Sequence, residues 1–106
     1  MMILWIHGMN DIIHLFDYIF LNSSEECHIP YNNHVVSIYI NTDLDVTMYD
    51  YGYITGHQEM TIKKYGIPIA NLIIHDDGNI THSIINHEEY EVLMLKYMYS
   101  ISQSNI

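Results

Sequence analysis

The sequence predicts an α+β fold: an antiparallel sheet of about five to six strands with two helices packed on one face. Three observations carry that expectation. Apolar residues recur at helical spacing between Ile12 and Phe20. Runs rich in β-branched residues, punctuated by Gly, Pro, Asn and Asp, fill the middle of the chain. A second helical stripe, opened by a capping signal, follows Asn86.

Met1–His7 is apolar and stops at Gly8, which reads as a buried strand. Asn10 or Asp11 can cap a helix running to about Asn22. Its stripe is Ile12, Leu15, Phe16, Ile19 and Phe20, with Asp11 and Asp17 on the polar side. Ser23–Asn33 reads as a loop, because Pro30 and Asn32–Asn33 break any period. His34–Asn41 is a strand by its content of Val35, Val36, Ile38 and Ile40.

The TDLD segment turns that strand into a hairpin partner, Asp45–Tyr53. Gly56 ends or turns it, and Glu59–Tyr65 alternates as a further strand until Gly66–Pro68 interrupts. Ile69–His75 and Ile80–Ile85 are strands joined by DDGN, whose Asp77–Gly78 tolerates positive φ. The last helix has Asn86 as N-cap and Glu89 three residues on, with Glu88 and Glu91 suiting its positive end. Tyr90, Leu93, Met94, Tyr97, Met98 and Ile101 form its buried stripe, and fraying is expected from Ser102. In the expected core both helices lie against one sheet face, with Trp5, Ile38 and Ile73 opposite them. No repeat or linker divides the chain, so residues 1–106 are read as one domain.

Charge narrows the function. Thirteen acidic residues face three lysines and no arginine, a formal charge of −10. Direct nucleic-acid binding is disfavoured, because phosphate contacts need Lys and Arg, and anionic membranes are disfavoured for the same reason. Basic proteins are the natural partners, including enzymes that act on nucleic acid. With Cys27 as the single cysteine, no intrachain disulfide can form, which fits a cytoplasmic protein. The N-terminal stretch lacks a basic region and is interrupted by His7, Asn10 and Asp11, so it is not read as a signal peptide.

The segment NTDLDVTMYDYGY, from Asn41 to Tyr53, is the candidate partner-binding site. It sets Asp43, Asp45 and Asp50 among Tyr49, Tyr51 and Tyr53, with no basic residue inside it. In an extended chain Asp45, Thr47, Tyr49, Tyr51 and Tyr53 share one face, and Val46, Met48, Asp50 and Gly52 the other. Tyrosine gives rigid contact area and aspartate complements Lys and Arg. The competing reading is an ordinary strand with packed rings and solvated carboxylates.

Chemistry has less support. Eight histidines are scattered without a ligand spacing, so no metal or other cofactor is expected. Asp43-x-Asp45 with Asp50 or Glu59 could hold a divalent cation, as in a metal-dependent nuclease, but the ribbon offers no base for a phosphate. There is no phosphate loop, nucleophile elbow or dinucleotide fingerprint, and nothing activating surrounds Cys27 in the sequence. No catalytic residue is assigned, and the expectation is a protein without enzyme activity. Few lysines guard the sheet edges, which favours a homodimer through an edge or the tyrosine face, against the repulsion of its charge.

The chain resembles the small acidic immunity proteins of bacterial polymorphic toxin systems. The likeness lies in ILWIHG at Ile3–Gly8 before an amphipathic helix, then a strand meander. It continues in HDDGN at His75–Asn79, a strand, and a helix opened by acidic residues at Asn86–Glu91. The resemblance implies a protein that binds its cognate toxin and blocks the active site or substrate groove. It transfers no individual residue, because contact residues vary in such families. The alternative is a phage-encoded anti-defence protein, such as an anti-CRISPR or DNA-mimic inhibitor; a second alternative is the metal-dependent enzyme.

Overall fold

The computed structural model describes residues 9–54 and 56–104, the side chains of Met9, Tyr53, Ile54 and Ser104 excepted. The strand expected at Met1–His7, and Trp5 with it, lie outside those residues. In chain order come helix α1 (Met9–Leu21), strands β1 (Glu25–Tyr31), β2 (His34–Asn41), β3 (Val46–Ile54), β4 (His57–Lys64), β5 (Ile67–Ile74) and β6 (Ile80–Ile84), and helix α2 (His87–Ser104). The six strands form one sheet in sequence order, each antiparallel to the next. The α+β class is therefore as expected.

Local chemistry explains most boundaries. Met9 is already helical, so Asn10 and Asp11 lie inside the first turn of α1 and not at its cap. Asn22 closes α1 by donating its backbone N–H and its side-chain amide to the Tyr18 carbonyl, both at 3.0 Å. The Ser23–Asn33 loop expectation is overturned by β1. Asn32 and Asn33 take φ of 47° and 67°, the left-handed pair that a two-residue hairpin turn needs. Tyr31 then pairs with His34, and Pro30 is tolerated because β1 is an edge strand among the described residues.

Between β2 and β3 the side chain of Asn41 replaces a backbone acceptor: its Oδ1 accepts the Leu44 N–H at 3.1 Å. Leu44, 1% exposed, folds under that turn. A bulge interrupts β3 between Asp50 and Tyr53, where Gly52 has φ of 71°. A Cβ on Gly52 would stand 2.9 Å from the Val35 carbonyl oxygen, so the position admits no side chain without a shift. Strand β5 begins at Ile67, so Pro68 lies inside it rather than ending the pattern. It is accommodated by a second irregularity, where Ile62 pairs with Ala70 but Lys63 with Pro68. The extra residue, Ile69, accepts the Ile85 and Asn86 N–H groups at 2.8 and 3.1 Å and so fixes the start of α2. Asn86 caps α2 as expected, its Oδ1 accepting the Glu89 N–H at 3.1 Å. The helix continues past Ser102 to Ser104.

Strand register decides which residues form the core. Tyr39, Met48, Ile62 and Ala70 stand in one row across β2 to β5, with Leu72 two residues further along β5. All are buried in one cluster with Ile12, Leu15, Phe16 and Ile19 of α1 and Tyr90, Leu93 and Met94 of α2. Both helices thus contribute to the core on this face. Phe20, expected in it, is 45% exposed and meets Tyr39 edge-on at the margin. Ile38 and Ile73 are a further correction. Each is one position from an inward residue, Tyr39 or Leu72, so the pleat turns it to the opposite face. Burial pushes the hydroxyls of Tyr39, Tyr90 and Tyr97 up, that of Tyr90 to about 12 with help from the Asp11 carboxylate.

Candidate protein-binding face

The face turned away from the helices is built by the alternate residues of the same strands. Val36, Ile38 and Ile40 come from β2, Thr47, Tyr49 and Tyr51 from β3, Glu59, Thr61 and Lys63 from β4, and Asn71 and Ile73 from β5. Thr61 is buried at 8% exposure and the others are half-buried. Among the described residues no helix lies over them.

Tyr49 and Tyr51 stack with ring centroids 6.3 Å apart and planes 17° from parallel. Register brings β4 alongside, and the Lys63 ammonium sits 4.6 Å from the Tyr49 ring centroid. A cation therefore stands over a tyrosine of the ribbon, although the ribbon's own sequence contains none. At the middle of the face the Asn71 amide donates to Glu59 Oε2 at 3.1 Å and to Thr61 Oγ1 at 2.9 Å. These bonds fix three polar side chains among apolar neighbours.

At one end of the sheet the β2–β3 and β4–β5 turns border a hollow of about 220 Å³. Asp45, Thr47, Tyr49, Lys63 and Tyr65 line it, and buried Asn41 lies at its base. The Asn41 Nδ2 has no acceptor among the described residues. Exposed carboxylates stand at both ends of the face: Glu25, Asp43 and Asp45 near the hollow, Asp76 and Asp77 in the β5–β6 turn.

The six sequence-predicted site residues are divided by this geometry. Tyr49 and Tyr51 share the open face. Asp43 and Asp45 lie in the turn at its end, where Asp45 accepts Lys96 Nζ at 3.3 Å. Asp45 has φ of 59°, which takes it out of the alternation expected with Thr47 and Tyr49. Asp50 points to the helix side, held by Gln58 at 2.7 and 2.9 Å. Tyr53 pairs with Gln58 through its strand, and its side chain lies outside the described residues. Lys63, Thr61 and Asn71 carry no binding signal in the sequence, and Glu59 carries only that of a candidate metal ligand. Only cross-strand register could have found them, since they come from separate strands.

The carboxylates considered for a metal do not converge. Asp50 and Glu59 lie on opposite faces, and no three His, Cys, Asp or Glu side chains cluster as ligands among the described residues. His28 and His75 instead share hydrogen bonds with the hydroxyls of Ser37 and Thr81, at 2.8 and 2.9 Å. No helix among the described residues is long and apolar enough to cross a membrane. Compared with protein families, curated proteins and solved structures, the chain matches none.

Proposed function

We propose that this protein is a cytoplasmic inhibitor that binds a basic partner protein stoichiometrically through its open sheet face and has no turnover of its own. The observation that carries the reading is an aromatic centre, holding the opposite charges of Lys63 and Glu59, rimmed by acid. Tyr49, Tyr51, Val36 and Ile38 supply apolar and half-polar area, while Glu25, Asp43 and Asp45 stand at one end and Asp76 and Asp77 at the other. Protein interfaces combine such a centre with a charged rim, and rim carboxylates steer a cationic partner before contact. Toxin immunity is the preferred setting, from the resemblance in element order; phage anti-defence would use the same surface.

The test is capture of the partner from the native host, followed by stoichiometry and kinetics with the purified pair. Expected are a 1:1 complex with a basic protein, an association rate that falls as salt rises, and a slower on-rate for the Asp43→Asn, Asp45→Asn double variant. Tyr51→Ala should raise the off-rate, costing about 2 kcal/mol of binding. Substrate conversion by the protein alone would end this reading. Light scattering shows whether the same face instead pairs two copies: a dimer lost in Tyr51→Ala would assign the face to self-association.

A further inference from the structure

We propose that a groove on the helix side of the sheet is a binding site for an organic cation, an ammonium group carried on an apolar aryl or alkyl body. This site is separate from the open face, because the sheet itself lies between them. The groove, about 260 Å³, runs beside α1 over the half of the sheet that ends at the β3–β4 and β5–β6 turns. Phe16, Met48, Met60 and Leu72 give it apolar walls, and the two thioethers can adapt to an irregular ligand.

Its electrostatics select the ligand's charge. Of the described side chains lining it, only Asp17 and Asp50 are charged, and both are acidic. Asp50 is held in place: Oδ1 accepts the Gly52 N–H and the Gln58 amide, each at 2.9 Å, and Oδ2 accepts the same amide at 2.7 Å. Those donors are neutral, so they orient the carboxylate without cancelling its charge. None of the described ion pairs reaches Asp50 or Asp17. A carboxylate has about four acceptor positions, so one remains for an ammonium N–H. The apolar walls lower the local dielectric and strengthen that attraction. Rings from Phe16 and Phe20 also line the groove and can face a cation. An anion meets repulsion here, and a neutral ligand leaves the carboxylate without a counter-charge.

The test compares 4-phenylbutylamine with 4-phenylbutanol on the full chain, by calorimetric titration and by the methyl resonances of Met48 and Met60. The expected result is perturbation of both methionines and binding of the amine about tenfold tighter than the alcohol. Asp50→Asn should abolish that preference while leaving the alcohol's affinity unchanged. Should Asp50→Asn fail to fold, Asp17→Asn, an exposed position, should reduce the preference about two- to threefold. Equal affinities for amine and alcohol in the unmodified protein overturn the proposal without any variant. So does amine binding that leaves both methionines unmoved, or magnetisation transfer from Trp5 to them, which would show the groove filled by the chain's own N-terminal residues.

Discussion

Along β2, β3 and β4 the residues Tyr39, Met48 and Ile62 stand in one row under the helices, all below a tenth exposed. One position earlier on β2 and one later on β3, Ile38 and Tyr49 stand side by side on the far face, with Thr61 of β4 beside them. Residue type does not separate the rows: an isoleucine and a tyrosine occur in each. What separates them is the layer above: among the described residues, helices cover one side and none lies over the other. An apolar side chain contributes fully to stability only where something covers it, and uncovered it remains available for a partner.

The sharpest way to break this comparison is to truncate matched residues. Ile62→Ala and Leu93→Ala should each cost about 2–5 kcal/mol in urea unfolding, and Ile38→Ala only about 1 kcal/mol. An Ile38 variant as damaging as the Ile62 one would mean that the far face is covered. Next in size is a pH effect confined to the helix side. Burial lifts the Tyr90 hydroxyl from its ordinary 10.0 to about 12. Its folded pKa lies above the unfolded one, so folding favours the protonated form. That contribution is complete below about pH 10 and, on the order of 2 kcal/mol, is lost as pH rises through about 12. Ultraviolet titration should show a tyrosine step near pH 12 that is absent in Tyr90→Phe, while Tyr39 and Tyr97 still titrate above the ordinary range.

Tyr51→Ala sharpens the contrast from the other side. It should cost under about 1 kcal/mol of folding stability while costing more in partner binding. If it unfolds the protein first, the stacked tyrosines are structural and the interface lies elsewhere. Asn86→Ala should cost about 1 kcal/mol, because it releases the Glu89 N–H at the start of α2. The smallest effect belongs to the Asp43→Asn, Asp45→Asn pair, whose change in unfolding free energy should stay below about 0.5 kcal/mol. Its one described ion pair, Asp45 with Lys96, is solvent-exposed.

Much of this architecture is legible in the sequence alone. Asn86–Glu89 announced a capped helix, Asp77–Gly78 a hairpin, and the Ile12–Ile19 stripe a packed helix, because each signal is local. The misplaced elements depended on distant partners. Strand β1 has every residue exposed, so no hydrophobic alternation marked it, and only the Asn32–Asn33 turn hinted that the chain doubles back. Hydrophobicity alone places Ile38 and Ile73 in the core, whereas strand parity requires Tyr39 and Leu72. The binding face was half visible: Tyr49 and Tyr51 lie on one strand, but Lys63 and Asn71 join them only through register. Asp50 belongs to the ribbon in sequence, although its own alternation points the other way.

The sequence-order meander also bears on how fast the molecule assembles. Each strand pairs with the next one made, and two of the turns, Asn32–Asn33 and Tyr65–Gly66, need only two residues. Closing such short loops costs little chain entropy, and isolated hairpins form in roughly 1–10 μs. None of the described strands waits for a remote segment to be threaded between its neighbours. The contact of greatest sequence separation is between the helices, which come from opposite sides of the sheet in sequence and meet through Tyr18 and Tyr97. Folding should therefore be limited by closure of that helical layer over a sheet already zipped, so substitutions at Tyr18 or Tyr97 would slow refolding more than those at Ile38 or Tyr49.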